Sequence, residues 1–281
     1  MVSSKSNTNL SIVIPTLGEA VLLKCLNSIY LNTLLPLEII IVIPRQYKNR
    51  VNKINKLKLV RIIYSPKKGQ VFQRILGFKS CKCDYVMQLD SDIILSKDSI
   101  YKLLYSIRKF NGKNAISPNF LIPKKFNNRF RYRSKLFTLI KNFIINGSMN
   151  SKPGIITDIG YNTWFIDNYY NENYYKLEWL PGGCILFNKK SLVKNNYFPF
   201  SGRAYCEDVI HSIILTANKV DLYFFPNIIV INDDYSKEVK TLKSLFQEFK
   251  IRFYLLKKIK GSKIRFFLWF IFYFIASIFK K

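Results

Sequence analysis

The sequence is poor in acidic residues. Its 281 residues include 17 aspartates and glutamates against 45 lysines and arginines, which gives a formal net charge of +28. No acidic side chain occurs from residue 99 to residue 157, and the chain from residue 237 onward is nearly as one-sided. Such basic segments favour a polyanionic partner: nucleic acid, phospholipid headgroups or a substrate that carries a pyrophosphate.

Histidine and cysteine are scarce as well. His211 is the only histidine, and the five cysteines are an odd number with no regular spacing. Cys81 and Cys83 form one close pair, but without a second pair of soft ligands a zinc site is not expected. Because no signal peptide opens the sequence and no disulfide framework is evident, we expect reduced thiols and a cytosolic compartment.

Hydrophobic residues make up 49% of the chain, so a large core can form. Short apolar, β-favouring runs alternate with segments of helical spacing as far as residue 110. This alternation predicts βαβ units, and therefore an α/β fold with a mostly parallel sheet flanked by helices. The predicted strands cover residues 10–14, 37–43, 59–64 and 85–89, and right-handed crossovers place the loops that follow them along one edge of the sheet.

The pattern weakens in the middle of the chain. Residues 117–150 lose the alternation, and residues 155–180 are rich in tyrosine and asparagine without a clear period. A connection of that length without secondary structure points to a functional loop region or to elements that the periodicity does not reveal. Regular structure is again predicted for residues 179–187, a glycine-rich turn that enters an apolar strand.

The C-terminal segment combines basic and aromatic residues. Apolar residues at spacings of three and four predict an amphipathic basic helix within residues 240–260. Residues 266–279 follow as an uncharged run, which as a helix extends about 21 Å and falls short of the ~30 Å hydrocarbon core. We therefore favour a helix in the membrane interface or in one leaflet over a full span. The alternative is that these helices pack on the globular domain.

Two carboxylates follow the predicted strand 85–89 directly. In open α/β sheets, ligands bind beyond the carboxyl ends of the strands, where Asp90 and Asp92 are expected. Their hard oxygen atoms suit Mg²⁺ or Mn²⁺ shared with a phosphorylated substrate. The segment Asp90-Ser91-Asp92 is also compatible with an ordinary surface turn.

Two further motifs lie in the second half of the chain. Gly182 and Gly183 form either a tight turn or a place where the backbone approaches a ligand closely. Glu207 and Asp208 begin a predicted helix, where acidic residues are also favoured by the helix dipole. Each motif alone is therefore open to a purely structural interpretation.

The order of the motifs resembles family 2 glycosyltransferases, the nucleotide-diphosphosugar enzymes of GT-A fold. The resemblance spans roughly residues 10–234 and predicts a catalytic domain over 10–236, preceded by a flexible N-terminus (1–9) and followed by C-terminal helices (237–281). The segments that carry it are Ser11-Ile-Val-Ile-Pro-Thr16, Glu38-Ile-Ile-Ile-Val42, Gly69 with Gln73-Arg74, Tyr85 with Asp90-Ser-Asp92, Pro181-Gly-Gly-Cys-Ile-Leu-Phe187 and Glu207-Asp208.

The resemblance implies a role for each matched residue. Asp208 is the implied catalytic base, and Asp92 is the implied metal ligand, with Asp90 and Asp233 as further candidate ligands. The residues implied to bind the donor are Pro15, Thr16, Glu19, Arg74, Asp90 and Ser91. Those implied to contact the donor sugar or the acceptor are Trp179, Gly182, Gly183 and Glu207.

These roles agree with what the reaction requires. An inverting transfer needs a carboxylate that takes the acceptor hydroxyl proton, an effect of ~10²–10⁴-fold. It also needs a cation, Mg²⁺ or Mn²⁺, that neutralises the departing diphosphate. The two acidic clusters, 90–92 and 207–208, are therefore expected to face each other across one cleft.

The sequence departs from the family pattern in two places. Pro44 and Arg45 follow the second strand, where the family usually has aspartates that recognise the base. The family's histidine after the last strand is also missing, and residues 232–234 are the candidate substitutes. The lone His211 is expected to be structural or solvent-facing rather than a metal ligand.

The predicted function is transfer of one sugar from a nucleotide-diphosphosugar to a glycan or lipid-linked acceptor, in cell-surface polysaccharide synthesis of bacterial type. The basic tail predicts attachment to an anionic membrane surface, and the positive-inside rule places the enzyme on the cytoplasmic face. One rival is a nucleic-acid-binding protein, suggested by basic and aromatic residues that alternate near residue 130, although no recognised nucleic-acid motif is present. Another is an inactive GT-A scaffold.

Overall fold

A computed structural model describes residues 7–121, 135–146, 153–163, 172–233 and 241–278. By their internal contacts the residues fall into two compact units. The first comprises Met1–Pro123 and Tyr170–Tyr235, and the second comprises Lys124–Tyr169 and Ser236–Lys281. The described residues 135–146 and 153–163, which were expected in the catalytic domain, group with the C-terminal helices. The predicted domain bounds stay a prediction.

The first unit is built on a single twisted sheet with helices against it. Its strands are β1 (Asn7–Pro15), β2 (Leu35–Pro44), β3 (Val60–Ser65), β4 (Tyr85–Leu89), β5 (Ile93–Leu95), β6 (Asn114–Leu121), β7 (Tyr175–Lys176), β8 (Cys184–Asn188) and β9 (Asp221–Asn232). Its helices are α1 (Val21–Tyr30), α2 (Gln70–Ser80), α3 (Ser99–Ile107) and α5 (Glu207–Ala217).

The strands are ordered β3-β2-β1-β4-β8-β6-β9-β5, and β7 also pairs with β9. β1 runs parallel to β2 and β4, β2 runs parallel to β3, and β6 runs parallel to β9. The remaining ladders are antiparallel. Most paired residues lie in parallel ladders, so the predicted α/β fold with a mostly parallel sheet is confirmed.

Both faces of the central strands are buried, which explains their nearly continuous apolar sequences. Alternate residues of β1, such as Ile12 and Ile14, join a core cluster with α1 and α3. On the opposite face Val13 meets α2 at Gly77, where an added Cβ atom would lie 2.3 Å from a Val13 methyl group. Glycine at this position therefore allows the helix to approach the sheet closely.

The short strands β5 and β7 were not predicted, and two longer strands, β6 and β9, were also missed or predicted only in part. β6 occupies a region in which no element was expected, and β9 begins well before the apolar run 228–231. Each strand contains a proline, Pro118 or Pro226, which obscures the strand pattern because proline cannot donate to a ladder. The structure accommodates both at one irregularity, where the β6–β9 register shifts between Pro118 and Asn119 opposite residues 225–229.

The N-terminal boundary also differs from the prediction. Asn7 and Thr8 pair with Leu35 and Pro36, so β1 starts inside the segment expected to be flexible. Residues 1–6 lie outside the described part of the chain.

The second unit contains α4 (Lys135–Asn146), α6 (Leu242–Ile259) and α7 (Lys263–Ile278). A capping box begins α6, in which Thr241 and Ser244 each accept the other's backbone N–H. Gly261 joins α6 to α7, and a Cβ atom there would overlap the Asp158 carbonyl oxygen. The two predicted C-terminal helices therefore form; Phe279, in the predicted apolar run, lies outside the described residues.

The helices of the second unit share a small core of their own. Ile145, Ile159, Leu256, Phe266 and Phe270 are buried together. Over the described part of the chain, no helix has both the length and the apolar character that crossing a bilayer requires.

Candidate functional site

A cleft of about 470 Å³ opens in the first unit where β1 and β4 end. Its walls come from the loop after β1, the start of α2, the segment after β4 and residues 202–204, which precede α5. The lining residues are Pro15, Thr16, Leu17, Glu19, Val21, Lys68, Gly69, Gln70, Gln73, Asp90, Ser91, Asp92, Gly202, Arg203 and Ala204. The cleft therefore lies at the sheet edge predicted for ligand binding.

The loop after β1 is shaped by its own side chains. Thr16 donates its hydroxyl proton to Glu19 Oε2 at 2.8 Å, and the backbone N–H of Leu17 donates to the same oxygen at 3.1 Å. Buried Gln73 donates from Nε2 to the carbonyl oxygens of Thr16 (2.8 Å) and Val42 (2.7 Å). This amide ties the ends of β1 and β2 to α2, so the floor of the cleft is held from three elements.

Arg74 connects the two acidic clusters. Its side chain is 1% exposed, and Nη1 donates to Glu207 Oε1 at 2.7 Å while Nη2 donates to Asp90 Oδ1 at 3.1 Å. Gln70 Nε2 donates to the same Asp90 oxygen at 3.1 Å. The two clusters, far apart in sequence, thus converge on one buried guanidinium. Asp90 and Asp92 line the cleft, whereas Glu207 and Asp208 are not among its lining residues. That the two clusters face each other across the cleft stays a prediction.

Burial and the neighbouring charges change the pKa values of Asp90 and Arg74. Burial raises the pKa of Asp90, and the negative charge of Glu207 adds to the rise, while Arg74 opposes it. The pKa of Arg74 is raised: burial opposes this, but Glu207 and Asp90 outweigh it. Arg74 is therefore charged at neutral pH.

The paired glycines bring the backbone against the acidic helix start. A Cβ atom on Gly182 would lie 2.8 Å from Glu207 Oε1 and 3.5 Å from the Asp208 Cβ atom. The Gly183 carbonyl oxygen accepts the Asp90 N–H at 2.8 Å. A side chain at 182 would require the Glu207 carboxylate to move, so glycine allows this turn to approach the acidic helix start closely.

Aromatic residues close the other side of Glu207. The Tyr197 hydroxyl donates to Glu207 Oε2 at 3.1 Å, and its ring stacks on His211 with centroids 4.9 Å apart. Burial raises the pKa of Tyr197 and lowers that of His211 to about 4. His211 is therefore neutral and structural, in agreement with one of the two environments expected for it.

The carboxylates offer a few hard ligands and no complete cage. Asp92 lines the cleft beside Ser91, whereas Asp90 Oδ1 already accepts from Arg74 and Gln70. Within the described ranges, no group of three or more His, Cys, Asp or Glu side chains is arranged to hold a metal ion. This donor set fits Mg²⁺ or Mn²⁺, which commonly take one or two protein carboxylates and complete their shell with substrate phosphates and water.

Asp233 lies next to Asp92 through the backbone. Its N–H donates to the Asp92 carbonyl oxygen at 2.9 Å, and its side chain forms a 2.6 Å ion pair with Lys24. The other acidic residue of the segment 232–234, Asp234, lies outside the described residues. The metal-binding role of Asp233 stays a prediction.

Three of the predicted site residues are buried rather than exposed in the cleft. Arg74 and Glu207 are 1% and 6% exposed, and Trp179 is 2% exposed. Arg74 and Glu207 hold one another, so their position suits the support of neighbouring groups better than direct contact with a ligand. The predicted contacts of Arg74 with the donor, and of Glu207 and Trp179 with a sugar or acceptor, stay predictions.

Some residues of the cleft were not predicted to belong to the site. Lys68, Gln70 and Arg203 line the cleft and were not assigned a role. The chain contains 45 basic residues, so no single lysine or arginine stands out in the sequence. Only their proximity to Asp90 and Asp92 distinguishes them.

The amino-acid sequence also matches the model of a known protein family. The sequence model described as Glycosyl transferase family 2 matches residues 11–191, more than half of the chain. The chain belongs to glycosyltransferase family 2. The match covers the loop after β1, Arg74, the segment 90–92 and the paired glycines, and it ends before Asp208. No curated protein sequence gives a significant match.

Solved glycosyltransferase structures share the fold at low sequence identity. GalNAc-T7, solved with UDP, GalNAc and Mn²⁺, is 14% identical with a TM-score of 0.56 over 86% of this chain and 47% of its own. TarS 1–349 of S. aureus in complex with UDP-GlcNAc is 15% identical with a TM-score of 0.53 over 89% of this chain and 66% of its own. The chain thus spans between about half and two thirds of the length of these structures.

Proposed function

We propose that this family 2 glycosyltransferase carries out metal-dependent, inverting transfer of a sugar from a nucleotide-diphosphosugar to a glycan or lipid-linked acceptor. The observation that carries the proposal is the buried Arg74, which pairs with both Asp90 and Glu207. It joins the acidic segment that suits a cation, which lines the cleft of about 470 Å³, to the acidic segment that suits a base.

In this proposal Asp208 is the catalytic base. It follows Glu207 at the start of α5 and lies against Gly182. Its carboxylate would take the acceptor hydroxyl proton as the sugar's anomeric carbon passes from the diphosphate oxygen to the acceptor oxygen. Arg74 and Glu207 act as positioning residues, because their mutual ion pair fixes the backbone from which Asp208 projects.

The donor nucleotide would lie in the cleft. Pro15, Thr16 and Glu19 line one wall, and Asp90 and Ser91 line another. Lys68 and Arg203 supply positive charge at the same cleft, which suits a diphosphate. UDP-sugars are the first donors to test, because UDP and UDP-GlcNAc occupy the structural neighbours.

A divalent cation would be held by Asp92, with Asp90 and Asp233 as additional candidate ligands. When bound, Mg²⁺ or Mn²⁺ would neutralise charge that develops on the departing nucleoside diphosphate. Mn²⁺ accompanies UDP in the GalNAc-T7 structure, which supports a test with this ion.

We further propose that the acceptor is presented at the cytoplasmic face of the cell membrane, as in the synthesis of bacterial cell-surface polysaccharides. The support is the charge of +28 together with the basic and aromatic C-terminal helices. A lipid-linked acceptor would then place its sugar next to a membrane-bound enzyme.

The decisive experiment screens nucleotide-sugars with Mn²⁺ and with Mg²⁺ for stabilisation against thermal unfolding, and then assays the donors that bind for hydrolysis and transfer. A stabilising donor raises the melting temperature by mass action. Asp92→Asn should lose the metal-dependent part of the shift, whereas Asp208→Asn should keep the shift and lose turnover. If no nucleotide-sugar stabilised the protein with either ion while single-stranded nucleic acid did, the nucleic-acid-binding rival would replace this proposal.

A further inference from the structure

One face of α7 is apolar and open to solvent. The side chains at 264, 267, 268, 271, 272 and 275 are between 42% and 77% exposed. Their spacing of three and four residues places them on a single side of the helix. These six residues, here called the apolar stripe, extend over about 17 Å of helix.

The apolar stripe is not simply an unpacked helix. On its other side α7 contributes Phe266 and Phe270, which are 1% and 8% exposed, to the core of the second unit. Phe270 meets Phe249 of α6 edge-on with centroids 4.9 Å apart. Since one face of α7 is fully used for folding, the other face is available for a separate purpose.

α6 presents lysines next to this stripe. Lys243, Lys250 and Lys257 recur every seven residues and are all exposed, so they form one line along the helix, here called the basic strip. Lys250 lies 4.6 Å from the centroid of the Phe246 ring, and Lys257 lies 4.9 Å from that of Phe253.

Aromatic contacts join the two surfaces. Phe267 of the apolar stripe lies 5.9 Å from Phe253 and 6.1 Å from Phe249, measured between ring centroids. Phe253 in turn carries Lys257 over its face. The basic strip therefore borders the apolar stripe rather than lying on a distant part of the unit.

The nearby acidic groups do not offset these lysines. Glu248 is 2% exposed and accepts from Arg252 at 2.9 Å and from the Tyr273 hydroxyl at 2.8 Å. Asp158 is paired with Arg265. Both acidic residues that the structure describes in this unit are thus satisfied by partners within it.

We propose that the apolar stripe and the basic strip together form a docking surface for a lipid bilayer with anionic headgroups. The stripe enters the acyl region at the interface, with α7 lying in the membrane plane, while the lysines bind lipid phosphates. A second copy of the chain fits this surface less well, because a two-fold contact would bring two basic strips together. The inference deepens the membrane part of the proposed function and does not depend on the chemistry of the cleft.

The test measures binding of the full chain to phosphatidylcholine vesicles, with and without phosphatidylglycerol, by flotation. The double variant Leu268→Ser/Ile271→Ser should weaken binding roughly 25-fold, since each side chain is about half exposed and gains about half of its burial energy. Lys250→Gln/Lys257→Gln should weaken binding to the anionic vesicles by a similar factor, at roughly fivefold per lysine, and should leave the weak binding to neutral vesicles unchanged.

One control and one further stripe variant make the result interpretable. The control Leu31→Asn removes a leucine of the first unit that is even more exposed (71%) than Leu268 and should not change binding. Ile264→Asn tests the stripe at its most exposed position, 77%, where an effect on folding is least expected. Unchanged vesicle binding in both stripe variants would overturn the proposal. So would a concentration-dependent dimer, seen by sedimentation, that the stripe variants dissociate. Because no substrate is present, failure here is separate from failure of the transferase proposal.

Discussion

Replacing Arg74 by methionine tests how the two acidic clusters are held together. The substitution keeps most of the apolar volume and leaves Asp90 and Glu207 facing each other without their shared cation, in a place where Arg74 itself is 1% exposed. Removing one partner of a buried ion pair costs about 3–5 kcal/mol. With an unfolding entropy of about 2.1 cal/mol/K per residue, the melting temperature of this 281-residue protein should fall by roughly 5–9 °C.

The destabilisation should also depend on pH. Arg74 lowers the pKa of Asp90, so in the variant this carboxyl group titrates at a higher pH still, further above its value in the unfolded chain. A carboxyl group whose pKa is raised by folding destabilises the folded state fully at pH values above its folded-state pKa. This destabilisation disappears as the pH falls to the unfolded-state pKa. The difference in unfolding free energy between wild type and variant is therefore expected to be largest near neutral pH and to shrink under acidic conditions.

Urea unfolding at several pH values measures this difference directly. Lys176→Met is a matched control, because it breaks an exposed ion pair with Asp221 and should cost no more than about 1 kcal/mol. Adding Glu207→Gln to Arg74→Met should restore part of the loss, since it removes one of the two unpaired charges. A loss below about 1 kcal/mol for Arg74→Met, equal at all pH values, would refute the idea that this guanidinium holds the site together.

Three further outcomes are expected. His211 has a pKa of about 4 in the folded protein and about 6.5 in the unfolded chain. The unfolding free energy of the wild type should therefore decline by up to about 3 kcal/mol as the pH falls from 6.5 to 4. His211→Phe should remove this decline, as measured by urea unfolding. Gly77→Ala should cost about 1–3 kcal/mol of unfolding free energy through the clash with Val13, and unchanged stability would mean that α2 can shift. Asp208→Asn should lower kcat by ~10²–10⁴-fold at unchanged donor affinity, which isothermal titration can verify.

Much of the architecture could be predicted from residue patterns alone. Strands buried on both faces, such as β2, are almost entirely apolar, and helices such as α1 carry apolar residues every three to four positions. Both patterns can be recognised locally in the sequence. Prolines interrupt that signal in β6 and β9, where pairing with a neighbouring strand, not local preference, maintains the strand. The segment 90–92 and the paired glycines could be recognised because the order and spacing of motifs along the chain can be seen in the sequence itself.

What the residues do for one another was decided by the tertiary structure. The resemblance assigned Arg74 to donor binding, and only folding places it between Asp90 and Glu207, which are 16 and 133 positions away. The same holds for α7, whose phenylalanines look equivalent in sequence but divide into a buried set and an exposed stripe once α6 packs against them. Residue types and their local patterns can be seen in the sequence. Charge pairing and burial depend on neighbours that are distant in sequence and come together only in the three-dimensional structure.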